Sequence, residues 1–197
     1  MKIYGDLNSG NCLKVKWVCD LLGLPYQWIA IDTLKGETRT ADFLALNPAG
    51  QVPVVVFDGG GALAQSNAII RYLGRGSTLI PDDPWLAAKM DEWLFWEQYS
   101  HEPYVAVCRY QMVYLGRAPS ELDPDKVRRG HAALALMERH LADKTFLVGS
   151  ALSLADVALL AYTRMAPEGG FSLADYPALR RWIAAAERSL ALPPSAA

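Results

Sequence analysis

Ser9-Gly10-Asn11-Cys12 stands between a short alternating pattern, Lys2 to Gly5, and the first apolar positions of a helical one. Its spacing is that of a C-x-x-C dithiol centre with serine in the leading place. No protein thiol occupies the exposed position, so a bound thiol can take it. Where such a segment opens a helix, unpaired N–H groups and the helix dipole favour an anion, and a thiolate is one. A free thiol of pKa about 8.5 is about 3% ionised at pH 7, and lowering it by about two units ionises roughly three quarters at a cost of about 2.7 kcal/mol. One or two charge-assisted hydrogen bonds supply that. Ser9 offers a hydroxyl and, second to it, Asn11 offers a carboxamide N–H at nearly the same place; simple capping of the helix is the plainer role for either. Cys12 repeats with Cys19 on one apolar face and reads as a small buried hydrophobe rather than a nucleophile.

The rest of the composition narrows the chemistry. The chain has 197 residues, 52% of them hydrophobic, enough to bury a sizeable core. Lysine and arginine total 19 against 21 acidic residues, a net charge of −2. That balance offers no basic field for nucleic acid or an anionic membrane surface. The longest apolar runs, Val52 to Phe57 and Val157 to Tyr162, are far short of a bilayer span. With no leader pattern ahead of the first strand, a cytoplasmic address is expected. Three cysteines without a close pair and three histidines without ligand spacing lead us to expect neither disulfides nor a metal.

Two kinds of patterning position these residues. Up to about Arg75, strand and helix signals alternate. A strand at Lys2 to Gly5 precedes a helix from about Asn11 to Leu22, which Gly23 and Pro25 stop. A strand at Tyr26 to Asp32 follows, then a short helix from Ala41 to Leu46 capped by Thr40. Strand runs at Val54 to Phe57 and Ala62 to Ala64 are joined by Asp58-Gly59-Gly60-Gly61. Ser66 is expected to cap a last helix through Leu73. This order places a parallel βαβ unit beside an antiparallel hairpin, a thioredoxin-like arrangement.

After the turn-rich Gly74 to Pro84, everything reads as helical. Asp83-Pro84 opens a long helix; others are expected at Tyr104 to Leu115, Asp123 to about Ala142, after Ser153 and from Pro177 to Leu190. His101-Glu102-Pro103 breaks the helical pattern, so a bend is expected there, with His101 bonded to backbone in a turn. The fold class is α/β plus all-α: a thioredoxin-like domain over 1–76, a linker over 77–84 and a helical-bundle domain over 85–197.

Ser9 and Asn11 after the first strand, Asn47-Pro48-Ala49-Gly50-Gln51-Val52-Pro53, Gln65-Ser66-Asn67-Ala68-Ile69, and Phe146-Leu147-Val148-Gly149 with Ser153 and Asp156 together resemble the cytosolic glutathione transferases. The resemblance spans nearly the whole chain and is to the bacterial type with serine and asparagine at the thiol-activating loop. It implies an N-terminal domain that binds glutathione as co-substrate, a helical domain that covers the site of a small hydrophobic electrophile, and a homodimer whose interface borders the cleft.

Residue by residue, the resemblance makes Pro53 the family's cis-proline and gives the backbone of Val52 the pairing with the cysteinyl backbone of glutathione. It gives Gln65 and Ser66 the γ-glutamyl carboxylate, and Gln51 and Lys35 the glycyl carboxylate. Tyr4, near where some relatives carry an active tyrosine, reads as structural. Seven of the twenty aromatic residues lie between Trp93 and Tyr114; Tyr99, Tyr104 and Arg109 are the candidates for the electrophile site. Ser153 and Asp156 match a buried capping box that serves folding. The activity implied is thiolate attack on the electrophile. A glutathione-dependent disulfide or peroxide reductase, and a non-catalytic transferase-like binding module, are the alternatives.

Overall fold

A computed structural model describes residues 1–195. The chain divides into two compact units, Met1–Ser77 and Thr78–Ala197. In the first, β1 (Lys2–Gly5), α1 (Gly10–Leu21), β2 (Gln27–Ala30), α2 (Ala41–Leu46), β3 (Val54–Val56), β4 (Ala62–Ala64) and α3 (Ser66–Leu73) follow in order. The sheet runs β2-β1-β3-β4, with β1 and β2 parallel and the other pairs antiparallel. This is the expected thioredoxin-like arrangement. Ile3 stands opposite Val55, both without exposed surface; α1 packs on α3 and α3 on β4, with Val15, Val18, Ile69 and Ile70 buried in this unit. Gly23 ends α1 at φ +62°, the left-handed position its sequence context called for.

The register places three chain segments side by side at one end of the sheet. Tyr4 pairs with Val54, and Val54 pairs with Ala64. The loop after β1, the segment entering β3 and the segment leaving β4 therefore converge. These carry Ser9, Val52-Pro53 and Gln65-Ser66 respectively.

The second unit contains α4 (Pro84–Trp96), α5 (Glu102–Val113), α6 (Pro124–His140), α7 (Leu154–Thr163) and α8 (Pro177–Ser189). All ten residues of α7 are buried, and α4, α5 and α8 pack around it. The helical run is irregular, though not interrupted, at the bend expected near His101. A π-helical turn, Glu97–His101, carries α4 directly into α5. Pro103 lies in the first turn of α5, where its missing N–H has no helical partner to lose. His101 is fully buried and its Nε2 lies 3.1 Å from Thr163 Oγ1; because that hydroxyl donates to Leu159 O, it accepts from the imidazole. The side-chain partner, 62 positions away, replaces the backbone partner expected of a turn histidine. Residues 78–83 pack as part of this unit, with Leu79 buried and its carbonyl accepting from Leu154 N at 2.9 Å. Among the described residues, no helix is long and apolar enough to cross a membrane.

Candidate active site

Ser9 occupies the N-cap position of α1 in extended conformation, with its backbone oxygen accepting from the N–H of Cys12 and Leu13 at 3.0 Å each. Its side chain makes no cap hydrogen bond and lies beside the Cys12 thiol, whose pKa it lowers. Cys12 has no exposed surface and its sulfur also accepts from Asp6 N at 3.4 Å. Burial pushes this thiol up to about 11, so it stays protonated and does not act as a nucleophile at neutral pH.

The N-termini of α1 and α3 meet through side chains. Ser66 Oγ donates to Asn11 Oδ1 at 2.9 Å, and Lys14 Nζ donates to the same oxygen at 2.8 Å. Lys14 also reaches Asn67 Oδ1 at 3.5 Å. Ser66 is the first residue of α3 rather than its cap, as sequence had suggested: Gln65 holds the cap position at φ +71° and ψ +109°. That left-handed φ is a conformation side chains rarely adopt, and such strain concentrates where a site needs it. It frees the Ser66 hydroxyl from capping and turns it to Asn11.

Across the sheet, the Val52–Pro53 peptide is cis, as the resemblance implied. Gln51 is exposed, and its carbonyl accepts from Asn47 Nδ2 at 2.8 Å, which ties the segment to the end of α2. Lys35 lies on the loop after β2, 78% exposed, with its ammonium 3.1 Å from Asp32. Tyr4 meets Phe43 edge to face at 6.4 Å, a packing role.

Two residues escaped the sequence reading. Lys14 lies off the apolar stripe that the spacing of Cys12, Val15 and Cys19 suggested, yet it is fully buried. No local signal marks it, because its partners lie on other turns and on α3. Arg39 places its guanidinium against Gly50 and donates from Nη1 to Ala49 O at 3.4 Å. A Cβ on Gly50, which has φ +62°, would come within 2.4 Å of that guanidinium. A cation therefore stands beside the Gln51 segment.

In the helical unit, Tyr99 is 82% exposed. Tyr104 is half-buried; its hydroxyl accepts from Arg129 Nη1 at 3.0 Å and its ring lies 5.5 Å from that guanidinium. Arg109 is buried, and Glu168 holds its Nε at 2.8 Å and its Nη2 at 2.7 Å. Both nitrogens close on the one oxygen Oε2, which fastens α5 to the 3-10 turn Ala166–Gly169. Asp156 accepts four hydrogen bonds, from Leu147 N, Ser153 N, Ser153 Oγ and Trp182 Nε1, all within 2.9 Å.

Comparison with known proteins agrees with this architecture. Residues 8–75 match the glutathione S-transferase N-terminal domain and residues 94–189 the C-terminal domain. Glutathione S-transferase 3 of Zea mays is 34% identical over 92% of this chain and 86% of its own length. Among solved structures, a glutathione S-transferase from Pseudomonas fluorescens is 44% identical with a TM-score of 0.91, over 100% of this chain and 97% of that one. Another, from Xanthobacter autotrophicus, is 45% identical with a TM-score of 0.90, over 98% and 94%. With both domains matched in order and nearly the full length shared, the chain belongs to the glutathione S-transferase family.

Proposed function

We propose that this enzyme, as a bacterial-type member of its family, binds reduced glutathione at the converging ends of β1, β3 and β4, stabilises its thiolate, and directs that thiolate to a small hydrophobic electrophile. The hydrogen bond from Ser66 to Asn11 carries the reading, because it gathers two helix N-termini and two polar side chains into one anion-favouring corner. Ser66 and Gln65 take the γ-glutamyl carboxylate. The Val52 backbone, before Pro53, pairs with the cysteinyl unit like an added strand. Gln51 and Lys35 face the glycyl carboxylate. Asn11 and Ser9 donate to the sulfur.

The fit is chemical as well as positional. A tripeptide with two carboxylates and a thiolate needs N–H and O–H donors, and this corner is built from them. Asn11 is the better placed of the two sulfur donors: its oxygen faces two donors, whereas the Ser9 hydroxyl is turned to Cys12. Tyr99 and Tyr104 supply aromatic surface for the electrophile, and Arg109 braces the helix that carries Tyr104. Exposed Trp85 and Phe95 on the helical unit suit a homodimer.

The test is a pH titration of thiolate absorbance for glutathione bound to the protein, beside free glutathione. A midpoint well below the free value is expected. Binding with an unchanged midpoint would favour the non-catalytic module, and absent binding would overturn the assignment. Turnover with chloro-aromatic electrophiles, set against turnover with disulfides and peroxides, separates the transferase from the reductase.

A further inference from the structure

Asn47 is buried; it closes α2 and opens the turn that leads to Val52 and Pro53. Its carboxamide serves two backbone groups at once. Oδ1 accepts from Ala49 N at 3.1 Å, and Nδ2 donates to Gln51 O at 2.8 Å. Its own carbonyl accepts from Gly50 N at 2.9 Å, and its N–H donates to Phe43 O at 2.9 Å. The two side-chain partners fix the sense of the amide, because the Ala49 N–H can only donate and the Gln51 carbonyl can only accept. Aspartate starts such turns as readily as asparagine and would serve Ala49 equally, but it has no N–H for Gln51. The donor to Gln51 is what asparagine adds.

The Gln51 carbonyl belongs to the same peptide as the Val52 N–H. That peptide is trans, so the two groups point to opposite sides of the chain. Held at its carbonyl by Asn47, it aims the Val52 N–H away from Asn47. Among the described residues that N–H has no partner within the chain, and Pro53 has no N–H at all. Val52 and Pro53 therefore offer one backbone donor between them, and a side chain at the other end of the turn directs it.

We propose that Asn47 is a positioning residue for glutathione: its carboxamide holds the Gln51–Val52 peptide with the Val52 N–H turned to the cysteinyl carbonyl of the tripeptide. This rests on the reading that Val52 pairs with the cysteinyl unit like an added strand. Such a pairing exchanges two bonds between facing residues, one in each direction. The Val52 carbonyl lies on the following peptide, so only the N–H half of the exchange depends on Asn47. Without the Asn47 donor the Gln51–Val52 peptide is free to turn, and the N–H loses its aim. Asn47 thus acts through the backbone, touches no substrate and sets affinity rather than ionisation of the thiol.

The test measures Kd by titration calorimetry on wild type and on Asn47→Asp for two ligands: glutathione, and its isostere with a trans-alkene in place of the cysteinyl–glycine amide. The substitution keeps the size of the side chain and the Ala49 turn and deletes the donor. Asn47→Ser, which keeps a turn acceptor but is too short to reach Gln51, takes its place should Asn47→Asp lose the wild-type circular dichroism. Wild type is expected to bind the isostere roughly ten-fold more weakly than glutathione. In the variant glutathione should weaken roughly ten-fold and the isostere by less than about two-fold, so that the preference shrinks about five-fold. The midpoint of the bound thiol should hold, and kcat at saturating glutathione should change by less than about two-fold. An undiminished preference in the variant overturns the proposal, because a merely structural loss weakens both ligands alike. Wild type binding both ligands equally removes the pairing at Val52 and the Asn47 role with it, while thiolate activation stands on its own titration. Absent glutathione binding by wild type brings down the whole reading.

Discussion

The Ser66 hydroxyl donates to the Asn11 side-chain oxygen at 2.9 Å, joining the first turns of two helices across 55 positions of chain. The bond divides labour between the two residues. On the proposed reading Asn11, its oxygen engaged, serves the sulfur, and Ser66, at the α3 N-terminus, serves a carboxylate.

Asn11→Ala should therefore lower kcat about ten-fold at pH 6.5 and shift the acid limb of the kcat profile upward, with little change in glutathione affinity. Ser9→Ala should shift it less, because the Ser9 hydroxyl is turned to Cys12. A larger shift in Ser9→Ala would exchange the two roles.

Replacing Ser66 by alanine should do the opposite. On binding, the Ser66 hydroxyl turns its one hydrogen from Asn11 to the carboxylate; a hydrogen bond to a charged group contributes about 1.5–3 kcal/mol, so glutathione Kd should rise roughly ten- to hundred-fold by titration calorimetry. The midpoint of whatever thiol binds should move little, since Lys14 still holds the Asn11 oxygen.

The buried cysteines make stability fall in alkali. Burial pushes the thiols of Cys12 and Cys19 up from 9.0 to about 11 and about 12. Between the ordinary and the raised values the folded chain keeps protons that the unfolded chain has released. The contribution is therefore complete below about pH 9 and is lost as pH rises through the folded values, with a slope of about 1.4 kcal/mol per pH unit and thiol. Urea unfolding of Cys19→Ala, in reductant from pH 8 to 10.5, should show a flatter decline than wild type. Identical slopes would refute this.

Asp156 is a structural carboxylate. Burial raises its pKa while its four donors pull the other way. Asp156→Asn turns an NH2 toward at least one of those donors and should cost about 3 kcal/mol, read as a lower urea midpoint at unchanged slope. A change under about 0.5 kcal/mol would mean that the box is dispensable.

Gly130 lies within α6, and a Cβ there would stand 2.5 Å from the Phe171 ring. Alanine gains up to about 1 kcal/mol in helix propensity. Overpacking costs about 1–3 kcal/mol, so Gly130→Ala should destabilise on balance. A stabilised variant would show that Phe171 moves aside.

Much of this protein was legible before its structure. The ends of β1, α2 and β4 fall on the residues that alternation and turn chemistry marked, and the glycine closing α1 is in its expected conformation. These signals are local: hydrophobic period, caps and breakers act within a few residues. The motifs around Ser9, Val52-Pro53 and Gln65-Ser66 were equally visible, and parallel-then-antiparallel pairing was enough to bring them to one end of the sheet.

Side-chain partnership was not legible. Ser66 read as a cap because serine before an apolar helix usually is one; the strained backbone of Gln65 moved the cap one residue back. Lys14 carried no signal, His101 read as a turn residue and Arg109 as a cleft candidate. Apart from Asn11 on Lys14's own helix, the partners named here are 53 to 62 positions distant. Strand and helix follow from short-range sterics and periodicity, whereas the direction of a hydroxyl, an ammonium or a carboxamide follows from whichever donor or acceptor the packed chain brings within 3 Å, and only folding makes that choice.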